Sequence, residues 1–183
     1  MNIKPRQKIL EAADQLFNQQ GIQTTSLADI SKAAEVSKGT LFYHFKSKDD
    51  LILEIAIQYI KTVEAEMLAL IESKTEDQTL SSLALQLINR VIEAKQRNRL
   101  HLYLIEESIN RSPAIRTVLN GLYSQWLTMI TTAIEPWVGE RAAASAQVLL
   151  AMTDGLIIQK TLEINIDDVE ALVEVVFREQ DQT

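Results

Sequence analysis

Cysteine is absent from this 183-residue chain, and histidine occurs only twice, as His44 and His101. Disulfides, thiol catalysis and thiolate metal sites are therefore excluded, and no cluster of metal ligands or catalytic triad can be assembled from the pattern. Glycine (five) and proline (three) are scarce, and no segment alternates convincingly with period two. Long helices with few breaks are expected, and strands are not. No glycine-rich loop is spaced to cradle a phosphate. The opening residues MNIKPRQK lack the apolar core of a signal peptide, and no apolar run reads as long enough to span a bilayer. A cytoplasmic protein with no membrane partner is expected. Taken together the absences argue against an enzyme and call for no cofactor and no metal.

What is present is concentrated in residues 24–51, TTSLADISKAAEVSKGTLFYHFKSKDDL. Ser26 followed three positions later by Asp29 is a capping box, so a helix is predicted from Leu27 with Leu27, Ile30 and Ala34 inward. The chain turns at Glu35-Val36. Ser37 then caps a second short helix, Lys38 to His44, whose inward residues are Leu41 and Phe45. Ser47 with Asp50 is another capping box and opens a third helix. Two short helices joined by a tight turn form a helix-turn-helix, which lays its second helix in the major groove of DNA.

That second helix has suitable chemistry. Lys38, Gly39 and Thr40 occupy its first turn, where free backbone amides and the positive end of the helix dipole favour phosphate. Gly39 permits close backbone approach, Lys38 can donate to guanine, and Thr40 can reach phosphate or a thymine methyl. Tyr43 and His44 lie one turn on. Lys46 and Lys48 suit a phosphate clamp, and Lys4 and Arg6 form a basic arm before the first helix.

The segment from Ile9 to Leu51 resembles the TetR family of bacterial transcriptional regulators. Ile9-Leu10, Ala12-Ala13, Leu16-Phe17, Gly21, Thr25-Ser26-Leu27, Ile30, Ala34, Val36-Ser37, Gly39-Thr40-Leu41, Phe45, Lys48 and Leu51 carry the resemblance. It implies double-stranded operator DNA as partner. Lys38, Gly39, Thr40, Tyr43, His44 and Lys48 then fall where family members touch DNA, and Ser26 where they touch its backbone. Two residues depart from the pattern. Glu35 stands where the family usually has a turn glycine, a position that often needs positive φ. Phe42 stands where tyrosine is common, so a phosphate contact from that hydroxyl is missing.

Charge divides along the chain. Residues 1–48 hold seven Lys/Arg against four acids, a net of +3, which leaves −10 for the rest of a chain whose total is −7. A basic head on an acidic body orients a protein on DNA. An all-α architecture follows: a three-helix DNA-binding domain at 1–48 and a larger helical bundle at 49–183 for ligand binding and dimerisation. The first helix is predicted from Pro5 to Gln20, with Ile9, Leu10, Ala13, Leu16 and Phe17 inward. A long one runs from Ser47 to about Ser73 and links head to body. Others are predicted at Leu80–Lys95, Asn98–Asn110, Pro113–Glu135, Glu140–Glu163 and Asp168–Glu179, with Ser112-Pro113 and Asp167 with Glu170 as capping signals.

The last two helices are the candidate dimer surface, through Val148, Met152, Gly155, Leu156, Leu172 and Val176. The resemblance implies a homodimer with a four-helix interface, matched to a pseudo-palindromic operator. In the middle helices Leu102, Ile105, Glu106 and Ile109 share a face by helical spacing. Glu106, a carboxylate on an apolar face, is a candidate anchor for a cationic or hydrogen-bonding effector. Tyr103, Tyr123, Trp126 and Met129 are candidate walls of an aromatic pocket, against the alternative that they are ordinary core. The expected function is a ligand-released repressor. The competing reading is a DNA-binding regulator whose body makes protein contacts and takes no small molecule.

Overall fold

The structure, a computed structural model, describes residues 4–73, 75 and 77–177, and no strand occurs among the described residues. The chain forms two compact units, divided between Tyr59 and Ile60.

In the first unit, α1 (Pro5–Gln20) starts with proline in its first turn and stops at Gly21, whose φ of 88° ends the helical path. Its inward stripe is Ile9, Leu10, Ala12, Ala13 and Phe17, with Leu16 only half-buried. α2 (Leu27–Ala33) opens on the reciprocal capping box. Asp29 N–H donates to Ser26 Oγ at 3.1 Å, and Ser26 N–H donates to Asp29 Oδ2 at 3.0 Å. α3 (Lys38–His44) is capped by Ser37, whose Oγ accepts from Thr40 N–H at 3.0 Å. α4 (Lys48–Glu72) opens on the Ser47–Asp50 pair, with bonds of 3.0 and 3.1 Å. A side-chain cap thus takes up one free amide at the start of each of these three helices and leaves the others of the first turn outside the cap.

The turn between α2 and α3 is a Schellman motif. Val36 N–H donates to Ser31 O at 3.0 Å and Glu35 N–H to Lys32 O at 3.2 Å, with Glu35 at φ 54°. The position predicted to favour glycine does adopt a left-handed backbone. Ile30, Ala34, Leu41, Phe45, Leu51, Ile52 and Ile55 are buried with the α1 stripe, and the Tyr59 hydroxyl donates to Asp14.

The second unit contains the rest of α4, then α5 (Leu80–Ile92), α6 (Lys95–Asn110), α7 (Pro113–Val138), a single 3₁₀ turn (Gly139–Arg141), α8 (Ala142–Thr161) and α9 (Val169–Phe177). α8 packs on α7, α5 and α6, while α9 packs on α5. Leu80, Leu83, Leu87, Ile88 and Ile92 of α5 meet Ile130, Ile134, Leu149, Ile157 and Phe177 in one apolar core.

Several boundaries differ from expectation. α6 begins at Lys95, so Asn98 lies inside it rather than at its start. Asn98 is buried, and its amide donates to Val91 O and Ile92 O, both at 3.1 Å, closing the end of α5. α7 runs through Pro136 to Val138, past its predicted end at Glu135. Asp168, not Asp167, caps α9, its Oδ1 accepting from Ala171 N–H at 2.9 Å. The part of that helix predicted beyond Phe177 lies outside the described residues. Finally, the stretch Pro113–Thr161 is long and apolar enough by length and composition to cross a membrane, contrary to the expectation of no such run. Its apolar character has a local cause: α7 and α8 pack on each other and both contribute to the core.

Candidate nucleic-acid interface

Leu41 and Phe45 are buried, so helical spacing turns Tyr43 away from the core and leaves Phe42 at its flank, while Lys38 is exposed as the first residue of α3. All three are exposed, Tyr43 at 78% and Phe42 at 46%. Two aromatic rings are thus held out to solvent on this short helix. Phe42 was considered in the sequence only for its missing hydroxyl; the burial of Leu41 and Phe45 is the signal that would have found its outward ring.

Gly39 has an informative environment. A β-carbon added there would meet only Ser37 Oγ, at 3.7 Å, an ordinary contact. Nothing within the fold demands glycine there. Thr40 is half-buried, its hydroxyl 2.9 Å from Ser37 Oγ. His44 is half-buried, edge-on to Tyr43 with ring centres 5.1 Å apart.

The flanking cations differ in their engagements. Lys46 Nζ donates to Phe42 O at 3.2 Å, and Lys48 Nζ reaches Gln23 O at 3.4 Å, on the loop before α2. Lys48 is thereby tied to the loop that leads into α2. Arg6 pairs with Glu54 at 2.9 Å and lies 5.4 Å from the Phe45 ring centre, so within this unit it works as a tie between α1 and α4. Lys4 is exposed just before α1. The Asp29 carboxyl is held below its usual range by hydrogen bonds from the Ser26 side chain and backbone, so the α2 cap stays charged at neutral pH.

In the second unit the residues singled out for an effector are dispersed. Tyr123 and Trp126 come together with two others, His101 and Asp154. The Tyr123 hydroxyl donates to Asp154 Oδ2 at 2.9 Å and lies 3.0 Å from His101 Nε2. Burial, with Asp154 alongside, pushes the Tyr123 hydroxyl pKa up. Trp126 is buried with its indole N–H unpartnered. Met129 packs against the core and Tyr103 is half-buried. Glu106 is exposed, and Ile109 with it; the carboxylate that the fold buries is its neighbour Glu107. The inward face of α6 is Leu100, Leu104, Glu107 and Ser108, one position round from the predicted one. Glu106 therefore does not stand on an apolar buried face.

Among the dimer candidates, Leu156 is buried in the core, while Met152 and Val176 are half-buried against it. Leu156 faces inward because α8 is apolar on two sides. Its outer side carries Ala144, Val148, Ala151, Gly155, Ile158 and Leu162, all exposed except the half-buried Gly155 and spaced by alternating steps of four and three. Val148 is 45% exposed, and Leu172 and Val175 are exposed on α9.

The family match falls on the first unit. Residues 9–55 match the family described as bacterial regulatory proteins, tetR family. The chain is 54% identical over 50 residues to the HTH-type transcriptional regulator AcrR of Shigella flexneri, covering 27% of this chain and 23% of that one. It is 49% identical over 55 residues to the HTH-type transcriptional regulator QacR of Staphylococcus aureus, covering 30% and 28%. The chain thus spans about a quarter of the length of these curated relatives. The structure of Salmonella enterica GusR superposes with a TM-score of 0.76 at 22% identity, covering 98% of this chain and 96% of that one, which establishes a shared fold.

Proposed function

We propose that this chain, whose residues 9–55 match the tetR family of bacterial regulatory proteins, is a cytoplasmic, homodimeric repressor that binds a pseudo-palindromic operator and is released by a small molecule in its helical body. The observation that carries this reading is the outward face of α3. Lys38 and Gly39 lie in its first turn, Tyr43 and Phe42 stand out beyond them, and Leu41 with Phe45 anchors the opposite face. Lys38 reads guanine, the amides at the start of α2 and α3 meet phosphate, and Lys46 and Lys48 clamp the strand on either side. Tyr43 supplies a stacking or methyl contact, and His44 a phosphate donor.

Dimerisation supplies the second half-site. The outer stripe of α8, with small residues Ala144, Ala151 and Gly155 among Val148, Ile158 and Leu162, allows two copies to approach closely and bury apolar area. Leu172 of α9 is a further exposed apolar residue for that interface. Two reading helices about 34 Å apart would then meet successive major grooves. Effector binding in the body acts through α4, which contributes residues to both units. A ligand that favours a mismatched head spacing by a few kcal/mol suffices for release.

Substitution of Lys38 by alanine tests the reading helix. Operator affinity falls roughly ten- to hundredfold and sequence preference relaxes, while non-specific binding changes little. Unchanged affinity and preference, measured by mobility shift at fixed salt, would refute it.

A further inference from the structure

The second unit has a groove of about 1310 Å³ between α4, α5 and the start of α6. Ala65, Ala69 and Leu70 give it an apolar stretch, and Lys61, Arg90 and Arg97 bring three cations to it. Across it, Arg97 Nη1 donates to Glu66 Oε2 at 3.0 Å, and Arg90 Nε donates to the same oxygen at 3.3 Å. Glu93, the groove's other acid, pairs with Lys160 at 3.3 Å. Two guanidiniums carry ten N–H donors, whereas a carboxylate offers about four acceptor positions. One internal acid cannot saturate both. In a chain of net charge −7 this is a local concentration of positive charge beside apolar surface.

We infer that this groove binds a small organic carboxylate, whose anionic group takes the place of Glu66 between Arg90 and Arg97 and whose apolar part lies against Ala65, Ala69 and Leu70. The planar fork of arginine matches a carboxylate with two parallel hydrogen bonds; it would match a phosphate too, and the apolar stretch of Ala65, Ala69 and Leu70 beside it is what favours an organic carboxylate. The inference deepens the ligand-released reading above and rests on it for its regulatory meaning. Glu66 belongs to α4, and its partners belong to α5 and α6. A ligand carboxylate that displaces Glu66 therefore breaks the ion pairs tying α4 to the rest of its unit. Burial raises the Glu66 pKa, but the hydrogen bond and charge of Arg97, with the charge of Arg90, outweigh it and hold the group below its ordinary range. Glu66 is thus an ionised competitor for any incoming anion at neutral pH.

The test is calorimetric titration of the full-length protein with hexanoate, benzoate and indole-3-acetate, each beside its uncharged amide. At least one carboxylate binds about tenfold or more tightly than its amide, and Arg97→Gln removes that advantage. Glu66→Gln, which deletes the internal competitor, strengthens carboxylate binding by about tenfold. A purely structural ion pair gives another pattern: Glu66→Gln lowers the melting temperature and leaves the titrations unchanged. That pattern, equal binding of acids and amides, or no binding by any carboxylate overturns the inference. Operator binding is read separately on the same preparations, by mobility shift without ligand. Its failure refutes the regulator reading and leaves the groove titrations standing.

Discussion

Replacing Glu35 by glycine should stabilise the first unit, and the size of the gain can be worked from the turn. Glu35 sits at the left-handed position of the Schellman motif that ends α2, at φ 54°. A residue with a β-carbon pays roughly 1–2 kcal/mol there. Glycine removes that strain but has more freedom to lose on folding, which returns roughly 0.5–1 kcal/mol. The net expectation for Glu35→Gly is a stabilisation of about 0.5–1 kcal/mol. For a chain of this length that corresponds to a rise of about 1–4 °C in Tm. Urea and thermal unfolding, followed by circular dichroism, would measure it. Glu35→Ala is the control, because it removes the same carboxylate and keeps the β-carbon. If alanine gave the same gain, charge rather than backbone strain would be the cause. If glycine left stability unchanged or lower, the strain argument would be refuted. Glu163, at φ 58° in the equivalent turn after α8, should respond to glycine with the same sign.

Val148→Asp should leave the monomer folded, because the side chain is half exposed, and should convert the dimer to monomer in sedimentation while weakening operator binding. Leu41→Ala, at a buried position under α3, should cost about 2–5 kcal/mol and melt the reading surface, with loss of both stability and DNA binding. Tyr123→Phe removes the hydroxyl that joins His101 to Asp154 and should destabilise the second unit by about 1 kcal/mol in denaturant unfolding. The Glu66 carboxyl is held low in the folded state, so its ion pairs contribute stability above the unfolded carboxylate pKa, and this is lost as pH falls through the lower folded value. Thermal melts across pH 3–7 should show that acid loss in the natural protein and a smaller one in Glu66→Gln.

Much of the first unit can be read locally. Ser26 with Asp29, Ser37, and Ser47 with Asp50 each cap a helix within three residues of themselves, so their bonds depend on short-range pattern alone. The left-handed backbone at Glu35 was legible through the family resemblance, which places a turn glycine there, and not from the local pattern. The second unit yields less because its decisive contacts are distant in sequence. Glu66 meets Arg90 and Arg97 across 24 and 31 positions. Asn98 reads as a helix start, yet its amide closes the preceding helix, a role visible only once α5 and α6 are adjacent. Glu106 and Glu107 differ by one step round α6, and a helix flanked by several others offers no single apolar stripe to choose between them. α8 is apolar on two sides, so spacing could not separate the buried Leu156 from the exposed Val148.

The central claim is that two copies of α3 read a two-fold operator, and its most direct test is selection of genomic fragments by the purified protein followed by salt titration of the best one. The account predicts a pseudo-palindrome with half-sites about one helical turn apart. If Lys46 and Lys48 of both copies neutralise phosphates, the logarithm of affinity should fall against the logarithm of salt with a slope of about −3.6. Recovery of fragments with no shared sequence, or of a single unpaired half-site bound by a monomer, would contradict it.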